Sequence, residues 1–186
     1  MKLNPILVVL SADDLKVIRE IAERHDDKPP SAGGRNYGKA DTAEAHFIGL
    51  CGEAAVSRHY QVPFRRYVSQ VGDKHAGDTV LFGRSAEIKT ATHWEPIIKF
   101  NYLKQFGAEI AILCHMVMRD EKAEIRICAW VWREEFLRHH EMMNFGHESA
   151  RHCMLARNMN PMLTLESECK KPPREAHVRS GSQRAS

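Results

Sequence analysis

The amino-acid sequence predicts an α/β protein of the α+β type, built on a mixed sheet. Apolar residues recur at helical spacing near the start of the chain, as at Leu15, Ile18 and Ile21. Apolar runs of strand length dominate from residue 62 onward. The composition, 43% hydrophobic and 27% charged over 186 residues, fits a packed core of ordinary domain size.

The N-terminal part predicts two helices separated by a loop. Ser11, followed by Asp14, is typical of a helix N-terminus, and the helical spacing then continues to about Arg24. Residues 26–41 are rich in turn formers and predict a loop. A second helix, capped by Asp41 or Thr42, is expected to run to about Tyr60.

The remaining elements follow from short apolar runs and the turn residues between them. They are strands at 62–68, 79–82 and 86–90, a short helix at 101–106, strands at 109–118 and 123–132 joined by a turn at Asp120-Glu121, a helix at 133–142 and a strand at 151–156. Residues 1–169 are expected to form one domain, and residues 170–186 a disordered basic tail.

Several classes of protein are disfavoured. The longest apolar run, residues 110–118, is far shorter than the roughly 20 residues of a membrane-spanning helix. The apolar start is too short for a signal-peptide core, which predicts a cytoplasmic protein. The five cysteines form no CxxC pair and are expected to be reduced and structural. No GxGxxG or GKS/GKT loop is present, so no nucleotide cofactor is expected.

The net charge of +3 is unevenly distributed. Residues 170–186 carry five basic residues and one acidic residue, and residues 58–104 carry eight basic and four acidic residues. Both regions fit a polyanionic partner such as nucleic acid, although ordinary solvated surfaces have similar compositions.

The most informative stretch, residues 77–90, predicts a hairpin turning at Gly83-Arg84. With a two-residue turn, Asp78 opposes Lys89, and directly opposed residues share one face of a sheet. Glu87 and Lys89, two residues apart, also share a face. A loop with an even number of residues therefore brings Asp78, Glu87 and Lys89 together, whereas a three-residue loop separates Asp78 from the other two.

Such a trio has a chemical reason. Two neighbouring carboxylates resist joint ionisation unless a cation lies between them, and Mg²⁺ prefers carboxylate oxygens. A neighbouring lysine can position the attacking water or stabilise charge on a phosphate. The alternative is a surface strand with alternating charges, in which Glu87 and Lys89 face solvent.

At these residues the chain resembles the PD-(D/E)XK nuclease superfamily. Asp78 corresponds to the aspartate of the motif and Glu87-Ile88-Lys89 to its second half, while Gly77 stands in place of the proline. The preceding helix carries Gly49-Leu50-Cys51-Gly52-Glu53, which is similar to the acidic helix of these nucleases. Residues 129–147 look similar to small phage or prophage proteins of this group.

The resemblance implies an α-β-β-β-α-β core over about residues 42–132 and metal-dependent hydrolysis of DNA. It implies Mg²⁺ or Mn²⁺ held by Asp78, Glu87, Glu53 and the backbone carbonyl of Ile88, with Lys89 serving the attacking water. The two glycines flanking Glu53, Gly49 and Gly52, would let its helix lie close to the sheet. If the chain is phage-encoded, it would act in the host cytoplasm.

Partners and alternatives remain open at this point. The basic residues expected to contact DNA phosphates are Arg58, Arg65, Arg66, Arg84 and Lys99. A homodimer is plausible because cutting both strands needs two sites. The alternatives are a catalytically inactive DNA-binding module of the same fold and a nuclease acting on RNA.

The eleven histidines do not predict a zinc site. His139 and His140 are adjacent, and neighbours on a helix point in different directions. His75 and His93 lie near the motif and could contact a phosphate, but solvated loop histidines are the simpler interpretation.

Overall fold

The computed structural model describes residues 4–26, 39–64, 77–93, 95–145 and 150–171. The helices of these regions are α1 (Ala12–Asp26), α2 (Lys39–Tyr60), α3 (Arg133–His139) and α4 (Leu165–Cys169). The strands are β1 (Ile6–Leu10), β2 (Thr79–Leu81), β3 (Arg84–Ala91), β4 (Ile97–Phe100), β5 (Ile110–Arg119), β6 (Lys122–Trp132), β7 (Glu141–Met143), β8 (Arg151–Leu155) and β9 (Asn160–Pro161).

Two sheets organise the described residues. The main sheet has the strand order β1-β6-β5-β3-β2, with β9 also paired to β6. Strands β3 and β5 are parallel, whereas the other pairs are antiparallel. The small sheet has the order β4-β8-β7 and is antiparallel. The predicted mixed α+β class is therefore confirmed.

The main sheet is covered on both sides, and each side has its own core. On the helical face, the side chains of Ile88 and Ile112 pack with α1, α2 and α4. On the other face, Leu113 and Val131 pack with Phe100 of β4, which belongs to the small sheet, and with α3. We call this second side the small-sheet face. Successive residues of β3 therefore enter two different cores.

The predicted start of α1 is confirmed in detail. The Asp14 carboxylate accepts hydrogen bonds from the Ser11 amide (2.8 Å) and hydroxyl (2.9 Å). The Ser11 hydroxyl in turn accepts from the Asp14 amide at 3.3 Å, which gives the reciprocal arrangement of a capping box. The helix thus satisfies backbone donors that its first turn leaves unpaired.

Other element predictions need correction. Helix α2 begins at Lys39, so neither Asp41 nor Thr42 caps it. The helix expected at 133–142 ends at His139, because His140 is extended and leads into β7. The short helix expected at 101–106 is a 3₁₀ turn at Leu103–Gln105. The sequence interpretation did not include β1, β4, β7, β9 or α4.

Two predictions fall largely outside the described residues. The strand expected at 62–68 is described only at 62–64, which have no regular secondary structure. The expected disordered tail is described only at residues 170 and 171. None of the helices in the described regions is both long and apolar enough to cross a membrane.

Candidate active site

The β2–β3 hairpin turns one residue earlier than predicted. Leu81 pairs with Arg84, so the turn is Phe82-Gly83 rather than Gly83-Arg84. Both turn residues have positive φ, 50° and 79°, as a two-residue type I′ turn requires. The loop still has an even number of residues, so the parity of the predicted hairpin is kept within the pairing of β2 with β3. Continued by one residue, the observed register puts Asp78 opposite Glu87 instead of Lys89.

Glu87 and Lys89 lie on the small-sheet face of β3. Their parallel partners on β5 are Ala111 and Leu113, which belong to the core of that face. The Lys89 ammonium is paired with the Glu87 carboxylate and lies 5.3 Å from the centroid of the Phe100 ring. The Glu87 side chain is 16% exposed and that of Lys89 is 36% exposed. The pair is therefore partly shielded by the small sheet yet open to solvent.

Asp78 is joined to β3 through its side chain as well as its backbone. Its amide donates to the carbonyl of Ala86 at 2.8 Å. Its Oδ2 accepts the backbone N–H of Ile88 at 2.6 Å. A carboxylate thus takes the place of a backbone carbonyl where the pairing of β2 with β3 ends. This bond places Asp78 beside the residue between Glu87 and Lys89.

The backbone at residue 77 requires glycine and excludes proline. Gly77 has a φ of 71°, whereas proline is fixed near −65°. A Cβ at this position would also lie 2.7 Å from the carbonyl oxygen of Ala86. The path by which the chain enters β2 therefore requires glycine and is incompatible with proline.

Glu53 belongs to the helix on the opposite side of the sheet. A Cβ on the preceding Gly52 would collide with the Thr90 hydroxyl, so α2 lies directly on β3 at that level. Thr90 is one residue beyond Lys89 but points to the helical face. Glu53 itself is half-buried. Among the described residues β2 pairs with β3 only as far as Ala86, so α2 runs beside a stretch of β3 that β2 does not flank.

The predicted close approach of α2 depends on only one of its two glycines. No atom would lie within 4 Å of a Cβ on Gly49. The expectation for Gly52 is confirmed, whereas Gly49 is not needed for packing.

Two of the expected phosphate contacts have other partners. Arg58 donates to the Asp14 carboxylate at 2.6 Å and to the carbonyl of Val9 at 3.1 Å, which ties α2 to α1 and β1. The hydrogen bond from Arg58 lowers the pKa of Asp14 to about 2. Arg84 is 19% exposed and paired with Glu109 at 2.9 Å. In both cases the guanidinium group is held in an intramolecular ion pair.

The other three expected contacts are distributed differently. Lys99 lies on β4 next to Phe100 and therefore points away from the main sheet, with its ammonium 3.9 Å above the ring of Phe145. Arg65 and Arg66 lie outside the described residues. Among the expected phosphate contacts in the described residues, Lys99 therefore differs from Arg58 and Arg84, because its ammonium group lies over an aromatic ring and not in an ion pair with a carboxylate.

His115 is a site neighbour that the sequence interpretation did not select. It pairs with Ala91 at the end of β3, on the small-sheet face, and is 8% exposed. Burial lowers the pKa of His115, and the Arg126 charge lowers it further. The imidazole is therefore neutral near pH 7. The signal in the sequence was its position within an apolar strand, where a polar residue stands out.

The described residues contain no group of three or more histidine, cysteine, aspartate or glutamate side chains arranged to hold a metal ion. The structure places Asp78, Glu87 and Lys89 at one end of the hairpin, whereas Glu53 lies on α2, which covers the other face of the sheet. His75 lies outside the described residues.

No protein-family model, curated protein or solved structure matches this chain.

Proposed function

We propose that the protein is a Mg²⁺- or Mn²⁺-dependent endonuclease that hydrolyses DNA phosphodiester bonds. The observation that carries this proposal is the bond from the Ile88 amide to the Asp78 carboxylate. It ties the first acidic residue of the motif to the middle of Glu87-Ile88-Lys89. An ordinary surface hairpin with alternating charges does not need a carboxylate in this position, because a solvent molecule would satisfy the amide.

The backbone of β3 adds a third oxygen donor. In a strand, the N–H and C=O of one residue point to the same side, because paired residues exchange both bonds with one neighbour. The Ile88 N–H points to Asp78, so the Ile88 carbonyl is directed to the same edge of β3. Carboxylates from Asp78 and Glu87 and this carbonyl are the hard oxygen donors that Mg²⁺ and Mn²⁺ prefer. The residues present therefore fit the ion that the resemblance implies.

Lys89 and Glu87 have complementary roles in this proposal. Their ion pair keeps the lysine beside the acidic residues in the metal-free protein. When bound, the ion would polarise a phosphoryl oxygen and lower the pKa of a bound water. Lys89, held beside Glu87, would orient the attacking water or stabilise the phosphate. Glu53, on the helix beside β3, is proposed as an additional ligand.

The order of elements around the motif supports the same assignment. Helix α2 precedes the β2–β3 hairpin, and β5 then returns parallel to β3. A helical turn, Leu103–Gln105, lies in the connection between these two strands. We propose that these elements are the described part of the α-β-β-β-α-β core.

Cleavage of supercoiled plasmid tests the function. Purified protein is incubated with plasmid and Mg²⁺, Mn²⁺ or EDTA, and nicked and linear products are quantified. We expect cleavage that depends on the metal and is lost in Asp78→Ala, Glu87→Gln and Lys89→Ala. The matched controls are Glu121→Gln and Lys122→Ala, which remove one acidic and one basic side chain at the exposed β5–β6 turn. These controls should cleave like the wild type.

Equal cleavage by the wild type, Asp78→Ala and Lys89→Ala would refute the assignment and point to a contaminating nuclease. Absence of cleavage together with salt-sensitive DNA binding would instead identify the alternative, an inactive DNA-binding module. Parallel reactions on RNA and on branched, nicked and linear DNA distinguish the substrate classes.

A further inference from the structure

Two imidazole rings lie together at the junction of α3 and the small sheet. The ring centroids of His140 and His152 are 4.7 Å apart with an angle of 65° between the rings. No sequence pattern groups these residues, because they are twelve positions apart. His140 follows α3 directly and leads into β7, whereas His152 lies on β8.

The hydrogen bonds of these rings leave nitrogen lone pairs available. Nδ1 of His140 lies 3.1 Å from the carbonyl oxygen of Phe136, and a carbonyl can only accept. In its neutral form His140 therefore carries its proton on Nδ1, which leaves the lone pair of Nε2 available. A backbone carbonyl of this kind is the usual outer partner of a metal-binding histidine. The buried Nδ1 of His152 has no hydrogen-bond partner among the described residues.

Met142 contributes a third donor, a soft thioether, to the same side. In the antiparallel β7–β8 pair Met142 is directly opposite His152. Such partners share one face, with their Cβ atoms roughly 5 Å apart. His140 is extended and two residues before Met142, so it belongs to that face as well. Met142 is 56% exposed, although a thioether side chain of this size would ordinarily be buried.

We propose that His140, Met142 and His152 form a binding site for a copper(I) ion. Imidazole nitrogens bind several late transition metals, and a thioether added to them favours the soft copper(I) ion over zinc. A ring separation of 4.7 Å allows one nitrogen of each ring to reach the spacing of about 3.3 Å found between two ligands of one tetrahedral ion. This site is separate from the proposed Mg²⁺ site and does not depend on it.

The charge state of the pair is compatible with this role. Burial lowers the pKa of His152, and the neighbouring His140 lowers it further. The neutral imidazole is the form in which histidine binds metals, and the lowered pKa of His152 favours that form. Glu141, between His140 and Met142, points to the other side of β7, so the three donors are uncharged. An uncharged donor set suits a monovalent soft cation better than Mg²⁺.

The alternatives within the chain provide matched controls. His139 is adjacent to His140 but is exposed on α3. Met143 is adjacent to Met142 but is paired with Arg151 on the opposite face of β7. Each control removes the same chemical group as its partner variant, one residue away.

The test is a competition titration of copper(I) under anaerobic reducing conditions, with a chromophoric copper(I) chelator and full-length protein. We expect one copper(I) per chain, and an affinity reduced by at least about tenfold in His140→Ala and in His152→Ala. Met142→Leu should weaken copper(I) binding while leaving the weaker zinc binding unchanged. His139→Ala and Met143→Leu should bind like the wild type. Imidazole NMR resonances of His140 and His152, but not of His139, should shift on addition of copper(I).

Two results would overturn the proposal. One is copper(I) affinity in the His140→Ala/His152→Ala variant equal to that of the wild type, which would place any bound copper on the cysteines. The other is equal weakening by the controls and their partner variants. Thermal unfolding of each variant identifies misfolding, and His152→Gln replaces His152→Ala if the smaller side chain unfolds the small sheet.

Discussion

Replacing Gly52 by alanine tests how closely α2 packs on β3. In a helix interior, alanine is more favourable than glycine by about 1 kcal/mol. At Gly49 nothing opposes this gain, because a new Cβ has no neighbour within 4 Å. At Gly52 the new Cβ collides with the Thr90 hydroxyl and lies 3.3 Å from Cβ of Thr90 and 3.5 Å from Cβ of Cys114. Overpacking of this kind costs about 1–3 kcal/mol.

Gly49→Ala should therefore raise the free energy of unfolding by about 1 kcal/mol, whereas Gly52→Ala should leave it unchanged or lower it by up to about 2 kcal/mol. Both variants are measured by urea denaturation followed by circular dichroism, with equal slopes required for the comparison. If Thr90 causes the difference, Gly52→Ala should be less harmful in a Thr90→Ala background. Equal stabilisation by the two glycine substitutions would refute the close packing of α2 on β3.

Two further predictions concern charged and titrating groups. Arg58→Ala should lower the free energy of unfolding by about 1 kcal/mol, since the guanidinium is half exposed and its bonds to Asp14 and Val9 are partly screened. The stabilisation that the Asp14 carboxylate contributes is fully present above its unfolded pKa near 3.8. In acid unfolding it should be lost as the pH falls toward about 2. An unchanged midpoint with weaker DNA binding would instead support the phosphate-contact role. His115 has a lowered pKa, so the unfolded chain binds more protons in mildly acidic solution, and stability should rise with pH up to about 6.5. His115→Gln should flatten this dependence, leaving the contribution expected from His152, whose pKa is also lowered. An unchanged slope would contradict the burial of His115.

Local signals predicted the parts of the fold that depend on neighbouring residues. The Ser11–Asp14 pair gave the start of α1 because capping involves residues three apart. The turn at Asp120-Glu121 gave the β5–β6 hairpin, whose register joins Arg119 to Lys122. Each of these features is stabilised by contacts within a few residues, which is the information that periodicity and turn chemistry contain.

Elements that depend on distant partners were missed. In β1, Ile6 pairs with Ile127, and the residues around Ile6 contain no signal for a partner so far along the chain. β4 is only four residues long and is stabilised by β8, more than fifty residues later. A short apolar run of this kind has no periodicity that separates a strand from a loop.

The sequence selected the residues of the candidate site but did not specify their geometry. The sequence predicted the turn at Gly83-Arg84, whereas the observed turn puts Phe82 at φ 50°, a conformation that is unfavourable for phenylalanine. The Phe82 ring packs edge-to-face against Tyr60 at the end of α2, a tertiary contact that compensates for its backbone. The side-chain bond from Asp78 to Ile88 likewise depends on the exact path of the chain, which composition and spacing do not specify.

The bond between the Asp78 carboxylate and the Ile88 amide makes one backbone hydrogen a reporter for the whole hairpin end. That hydrogen can exchange with solvent deuterium only when the carboxylate moves away or the strand opens. Its protection factor therefore measures how rigidly the protein holds this carboxylate in place. A site that is already ordered loses little conformational freedom on binding, so slow exchange at Ile88 would mean that the sheet, rather than the ligand, has provided the order.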